Sequence, residues 1–225
     1  MAYHGKSGKV FVNGRHLSSY FDSFDIQLNC DSAEMSAFQD TYKGYNVGMK
    51  DGTLSLTGFF TDTAIHADGI LYSAVGTTCV WGVFPGGDAV DSHGYGLEGN
   101  ENSYAVMGTK DDNVRIATSA IGYPEQVSSL CPMTAVTTSA VGTAINNTAS
   151  STSGGSAYLQ AIAVSGSCGV IVEHSTAGGT YSTIATFTAF TTIGAYRKAI
   201  TGTIKPLVRV SYSGNMTLQA SLHRE

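Results

Sequence analysis

The sequence predicts a mainly β protein, with an N-terminal antiparallel β-sandwich or barrel that carries one packed α-helix and a C-terminal β-sandwich. Three observations predict this. Short alternations of apolar and polar residues recur along the chain, glycine-rich turns separate them, and one segment has a helical period. The chain has 225 residues and 42% hydrophobic residues, enough for two domains of ordinary size.

The first predicted domain, residues 1–125, contains six strand patterns. They are residues 9–14, 24–30, 53–60, 78–84, 94–108 and 113–122. A helix is predicted between the third and the fourth, with Asp62 or Thr63 as its cap and Gly76 as its end. Its predicted apolar face consists of Ala64, Ala67, Leu71, Ala74 and Val75.

The strand over residues 24–30 has two distinct faces. Phe24, Ile26, Leu28 and Cys30 alternate with Asp25, Gln27 and Asn29, which predicts one buried face and one wet face. The next 22 residues, 31–52, have no clean period and are predicted to be a long loop. Because the loop contains Phe38, Tyr42, Tyr45 and Met49, we expect it to become ordered against another surface.

The second half of the chain differs from the first in composition and charge. Between residues 137 and 156, 15 of 20 residues are Ser, Thr, Asn or Gly, which indicates a flexible linker or a segment draped over a sheet. Residues 1–125 carry a formal charge of −8 and residues 126–225 carry +3. These breaks predict a linker over residues 126–156 and a separate domain over 157–225. We expect that the first domain can function without this second domain.

No pattern of a reactive site is found in the sequence, so no enzyme, metal or cofactor is predicted. Asp62, His66 and Asp68 are interpreted as helix-cap and surface residues, and the loop with Asp88, Asp91 and His93 as a solvated turn. The four cysteines, Cys30, Cys79, Cys131 and Cys168, are too far apart for a metal pattern and are expected to be buried thiols. Without an N-terminal apolar segment, we expect a soluble protein made in a cytoplasm.

A resemblance to a known family rests on several stretches of residues 5–123. The opening "GKVFVNGRHLSSYFDSFDIQLNCDSAE", the strand "DGTLSLTGFF", the helix "AIHADGILYSAVG" and the strand "TCVWGVFPGGD" follow one another in an order that resembles the major tail tube protein of long-tailed bacteriophages. The later stretch "VEHSTAGGTYSTIATFTAF" resembles a β-sandwich at the C-terminus of some phage virion proteins.

The resemblance implies a structural virion protein, made in the host cytoplasm, that assembles into stacked hexameric rings around a channel for double-stranded DNA. Its other implied partners are the tape measure protein and the tail terminator and tip proteins. Asp25, Gln27 and Asn29 are then candidates to line the channel. A ring-stacking role is implied for the loop, with candidates Asp31, Glu34, Phe38, Tyr42, Tyr45 and Met49.

One alternative remains open at this point. A capsid decoration or receptor-binding protein, gripping a host-surface glycan through its C-terminal domain, also needs a β-rich chain without a reactive site. Tyr158, Tyr181, Tyr196 and Tyr212 are the aromatic residues available for a glycan, although packing in the core or at its rim is the simpler interpretation of each.

Overall fold

The computed structural model describes residues 5–38, 41–61, 67–177 and 179–225. In that part of the chain it is mainly antiparallel β with a single α-helix, which confirms the predicted fold class. The described helices include none with the length and apolar character that crossing a membrane requires.

The strands are β1 Lys9–Val12, β2 Arg15–His16, β3 Phe21–Glu34, β4 Tyr45–Phe59, β5 Thr78–Phe84, β6 His93–Met107, β7 Arg115–Gly122, β8 Glu125–Val136, β9 Ala140–Val141, β10 Ile145–Asn146, β11 Gly155–Ser175, β12 Ser182–Phe190, β13 Gly194–Ile200 and β14 Leu207–Arg224. The helix α1 is Ala67–Ala74, and a 3₁₀ turn covers Gly5–Ser7.

The chain forms two compact units that are not consecutive in sequence. Unit 1 consists of Met1–Ser19, Cys79–Leu97 and Glu125–Glu225, and unit 2 of Tyr20–Thr78 and Glu98–Pro124. These units differ from the predicted domains 1–125 and 157–225. The charge contrast between the units is the same as between the predicted halves, since unit 2 has twelve acidic and four basic residues, a formal charge of −8, while unit 1 carries +3.

Unit 1 is built on two long strands where several short ones were predicted. β11 and β14 pair along nearly their whole length, with a register shift between Ser165 and Gly169. The first part of β11 pairs with β13 and the last part with β12, so one pair of strands contributes to two successive pieces of sheet. Such bulges let strands turn a corner between packed sheets. Apolar residues from β8, β11, β12 and β14 form the main core of this unit.

The segment predicted as a linker, residues 126–156, contains ordered strands. β8 lies almost entirely within it, pairs with β14, and buries Val127, Leu130 and Cys131. β9 and β10 also pair with β14. The Ser, Thr, Asn and Gly residues of this segment therefore belong to strands and turns that lie against a sheet, not to a flexible linker. A segment lying over a sheet was the second of the two interpretations of its composition.

Unit 2 is a four-stranded antiparallel sheet in the order β3, β4, β7 and the C-terminal part of β6. The helix α1 covers one face of this sheet and buries Ala67, Leu71 and Ala74, as its period predicted. Gly76 ends it with a φ of 78°, a conformation that glycine adopts without strain. Val75, predicted for the same face, is exposed, while the predicted cap and Ala64 lie outside the described residues.

Candidate assembly and channel surface

The face of the unit 2 sheet opposite α1 is lined mostly by small and polar side chains, with the exposed apolar residues Phe59, Met107 and Ile121 among them, and is accessible to solvent. We call it the open face. The register of the four strands gives its members as Ser23, Asp25, Gln27 and Asn29 of β3, Asp51, Thr53, Ser55, Thr57 and Phe59 of β4, Arg115, Ala117, Ser119 and Ile121 of β7, and Asn100, Ser103, Ala105 and Met107 of β6. The opposite face holds the buried Leu54, Leu56, Ile116 and Ala120. Alternation along each strand thus separates a packed face from a hydrophilic one.

The three residues predicted for a channel wall all lie on the open face. Asp25 and Asn29 are exposed, and the Gln27 side-chain amide donates a 2.7 Å hydrogen bond to the Asp25 carboxylate. The other side of the same strand differs from the prediction of a buried face, because Phe24 is 38% and Leu28 56% exposed. β3 is an edge strand whose described pairing is with β4 alone, so the residues that the structure describes leave its apolar side chains partly uncovered.

The predicted loop over residues 31–52 is largely a β-hairpin, which corrects the sequence-based assignment. β3 and β4 remain paired through Cys30–Lys50, Ser32–Val47 and Glu34–Tyr45. The strand β7 pairs with β4 only from Gly52 onward. We call residues 29–38 and 41–51 the projecting hairpin, since in the described part of the chain they pair only with each other.

Apolar side chains on the projecting hairpin are highly exposed. Six of them have 59% to 112% of their surface accessible: Met35, Phe38, Tyr42, Tyr45, Val47 and Met49. Monomeric proteins rarely expose large contiguous apolar patches. An unpaired strand edge can pair with a strand of another chain. The hairpin and the β3 edge therefore have the features of an assembly surface.

The projecting hairpin also contains charged residues and one cysteine. Lys43 and Glu34 form an exposed ion pair at 3.0 Å, which contributes little to stability in water. Asp31 lies at the register shift between Cys30 and Ser32. Cys30, expected to be a buried thiol, is exposed on β3, whereas Cys79, Cys131 and Cys168 are buried as predicted.

A single cationic side chain lies at one end of the open face. Arg115 of β7 donates from Nη2 to both carboxylate oxygens of Asp22, at 2.8 and 2.6 Å. Its guanidinium carbon lies 5.1 Å from the centre of the Phe59 ring on β4, the strand between β3 and β7. Sequence reasoning missed this pair, since the two residues are 93 positions apart.

The packed face of the same sheet contains a buried carboxyl group. Glu101 of β6 has no solvent exposure and accepts a 2.5 Å hydrogen bond from the Thr118 hydroxyl, while its Oε2 has no partner among the described residues. Burial raises the pKa of Glu101 to about 7, and the hydrogen bond from Thr118 opposes this shift. The neighbouring Tyr104 donates its hydroxyl to Asp68 of α1.

Glu101 makes the stability of unit 2 depend on pH. Because its pKa is higher in the folded protein than the ordinary 4.5, ionisation opposes folding: the penalty is absent below pH 4.5, grows as the pH rises toward 7, and is complete above 7. We expect Glu101→Gln to raise the free energy of unfolding by up to about 3 kcal/mol at pH 8, and by much less at pH 4.5. Urea unfolding at both pH values measures this. The control Asp111→Asn, at an exposed position in the turn between β6 and β7, should follow the wild type, and an equal effect of Glu101→Gln at both pH values would contradict the assignment.

Two carboxylates from the acidic and histidine clusters of the sequence, Asp68 and Asp88, accept hydrogen bonds within the fold. Asp62 and His66 lie outside the described residues, and the Asp68 carboxylate accepts a hydrogen bond from the Tyr104 hydroxyl. Asp88 is buried and accepts a 2.7 Å hydrogen bond from the Met133 amide, which fastens its loop to β8. Among the residues that the structure describes, no group of three His, Cys, Asp or Glu side chains is arranged to hold a metal ion.

The aromatic residues considered for glycan binding pack within unit 1. Tyr158 is buried and donates to Glu125, while Tyr196 and Tyr212 pack against the main core. Tyr181 lies against Arg209, whose guanidinium carbon is 3.6 Å from the ring centre. Trp81 of β5 is a core residue with 1% exposure. These surroundings match the core and rim roles expected for such residues.

Comparisons with known proteins give structural similarities only. No family model matches the chain, and no curated protein matches it in sequence. A solved structure titled as the virion of a native gene transfer agent particle aligns over 56% of this chain and 97% of its own, at 12% identity and a TM-score of 0.44. The Dit protein of phage SPP1, described as a paradigm of hub adsorption apparatus in phages that infect Gram-positive hosts, aligns over 97% and 99%, at 12% identity and a TM-score of 0.39. A chain of the phage P2 baseplate aligns over 97% and 98%, at 6% identity and a TM-score of 0.32.

Proposed function

We propose that this chain is a structural subunit of a bacteriophage tail, and specifically the major tail tube subunit, which assembles into stacked hexameric rings around a channel for DNA. The observation that carries the proposal is the construction of unit 2. One sheet combines a packed face, an open polar face, an unpaired edge strand and a projecting apolar hairpin.

In a ring, neighbouring subunits would cover the β3 edge that a single chain leaves exposed. The edge of β3 presents unpaired backbone groups, and Phe24 and Leu28 on its apolar side are exposed. A second copy of the chain, placed beside the first by rotation, would pair or cover this edge in every subunit once the ring closes. The projecting hairpin, with Phe38 and Tyr42 near its tip, then reaches the adjacent ring and stacks one ring on the next.

The open face suits the wall of a DNA channel. Its central side chains are mostly hydroxyls, amides and methyl groups, the exposed apolar Phe59, Met107 and Ile121 lie toward its two ends, and Asp25 adds negative charge. Unit 2 as a whole carries −8, so the surface repels phosphates rather than retaining them. DNA passes such a wall without forming lasting contacts. The tape measure protein would occupy this channel before DNA does, and the terminator and tip proteins would contact the end rings.

Electron microscopy of the purified full-length chain tests the proposal. Long tubes with stacked rings would support the tube subunit, and single closed rings would instead indicate a position that occurs once in a tail. Discrete monomers or trimers under all conditions would contradict ring formation and favour the decoration or receptor-binding alternative. A host glycan that bound such monomers would strengthen that alternative.

A further inference from the structure

We propose that Asp22 is a masking residue, whose carboxylate occupies the guanidinium of Arg115 and so prevents the open face from binding DNA phosphates. This inference rests on the proposed channel function and adds a specific device to it. The face contains one Lys or Arg side chain among the described residues, and that side chain is held in an ion pair within the same chain.

The position of Arg115 makes masking necessary. It occupies the same face of β7 as Ala117 and Ser119, and its side chain keeps 34% of its surface accessible. A guanidinium is the side chain best matched to phosphate oxygens, because its planar N–H groups can donate two parallel hydrogen bonds. Repeated around a ring, one such group per subunit would form a band of phosphate-binding sites along the path of the DNA.

The geometry of the pair shows how Asp22 prevents this. Both carboxylate oxygens lie within 2.8 Å of Arg115 Nη2, so the anion occupies that donor and neutralises the guanidinium charge that a phosphate would otherwise meet. The guanidinium carbon also lies over the Phe59 ring. Asp22 itself lies at the register shift between Phe21 and Ser23, where β3 departs from regular pairing with β4. That irregularity allows a side chain of the edge strand to reach across β4 to β7.

The other acidic residue of the strand provides a matched comparison. Asp25 lies on the open face of β3 three residues away, and its carboxylate accepts a hydrogen bond from the Gln27 amide rather than from a cation. Removing the Asp25 charge therefore makes the face less acidic without releasing a cation. The effect of masking can thus be separated from a general change in net charge.

Binding of a short fluorescent DNA duplex to the purified full-length chain, measured across salt concentrations, tests the inference. We expect the wild type, Asp25→Asn and the double variant Asp22→Asn with Arg115→Gln to bind weakly. Asp22→Asn alone should bind at least about tenfold more tightly at low salt, and its plot of log K against log salt should steepen by about 0.9 for each Arg115 that contacts a phosphate. If Asp22→Asn does not fold, Ser119→Lys, which adds a cation at the centre of the face with serines directly opposite, should show the same gain.

Several outcomes would overturn the inference. The inference fails if Asp22→Asn and the wild type bind DNA equally, or if the double variant still binds more tightly than the wild type. It also fails if a folded Ser119→Lys binds no more tightly than the wild type, or if the wild type binds tightly and Arg115→Gln abolishes that binding. A purely structural pair would lower the thermal stability of Asp22→Asn without changing its DNA binding. Electron microscopy of the same samples reports ring formation separately, so loss of masking and failure of the proposed assembly are distinguished.

Discussion

Replacing residues 31–49 by an Asn-Gly turn should give a folded protein that forms neither rings nor tubes. Cys30 and Lys50 are directly paired, so a two-residue turn can join them without disturbing the rest of the sheet. The shortened chain loses all six of the highly exposed apolar side chains of the projecting hairpin but none of the buried residues of unit 2. Assembly should therefore fail while the fold survives.

Size-exclusion chromatography and electron microscopy measure the assembly, and circular dichroism the fold. The matched control is Val141→Ser, which removes an exposed apolar residue of β9 outside the hairpin and should assemble normally. Tubes of normal appearance from the shortened chain would show that the hairpin has no role in assembly. An unfolded product would show instead that the hairpin belongs to the core of unit 2.

Truncation after Gly155 should abolish folding of unit 1, although the sequence predicted that the second half is dispensable. The cut removes β11 to β14 and leaves β8 without its partner β14. Most buried residues of the main core lie beyond residue 155, including Leu159, Val170 and Leu218. Because the loss of one buried leucine side chain typically costs 2–5 kcal/mol, against a total stability of about 5–15 kcal/mol, losing this whole set is not compatible with a folded unit.

Solubility and resistance to proteolysis of the truncated chain measure this effect. As the matched control, a protease site inserted after the exposed Ser150 can be cut once the full chain has folded, and the two pieces should stay together because β8 and β14 remain paired. A soluble truncated protein that formed rings, or pieces that separated freely after the cut, would restore the predicted linker.

The alternation of residues was sufficient to predict individual strands and their faces. Asp25, Gln27 and Asn29 were assigned to a wet face and lie on the open face, and the period of Ala67, Leu71 and Ala74 predicted the packed side of α1. Such patterns report local burial, which a short window of sequence contains. They worked where one side of a strand or helix touches a core.

The projecting hairpin could not be predicted from alternation, for two physical reasons. Neither of its faces touches the core of the chain, so burial imposes no pattern on it. The register shift after Cys30 also reverses which residues share a face. The division into units was missed for a different reason: β8 pairs with β14 some eighty residues later, and unit 2 is completed by a return of the chain at Glu98–Pro124.

A three-dimensional map of the assembled full-length protein, at a resolution that separates β-strands, would show which face of unit 2 lines the channel. We expect a closed ring whose inner wall is the sheet β3–β4–β7–β6, with the open-face residues Asp25, Ser55 and Ser119 turned toward the channel and α1 turned away from it. A ring in which α1 faces the channel, or in which the open face lies on the outer surface, would contradict this expectation.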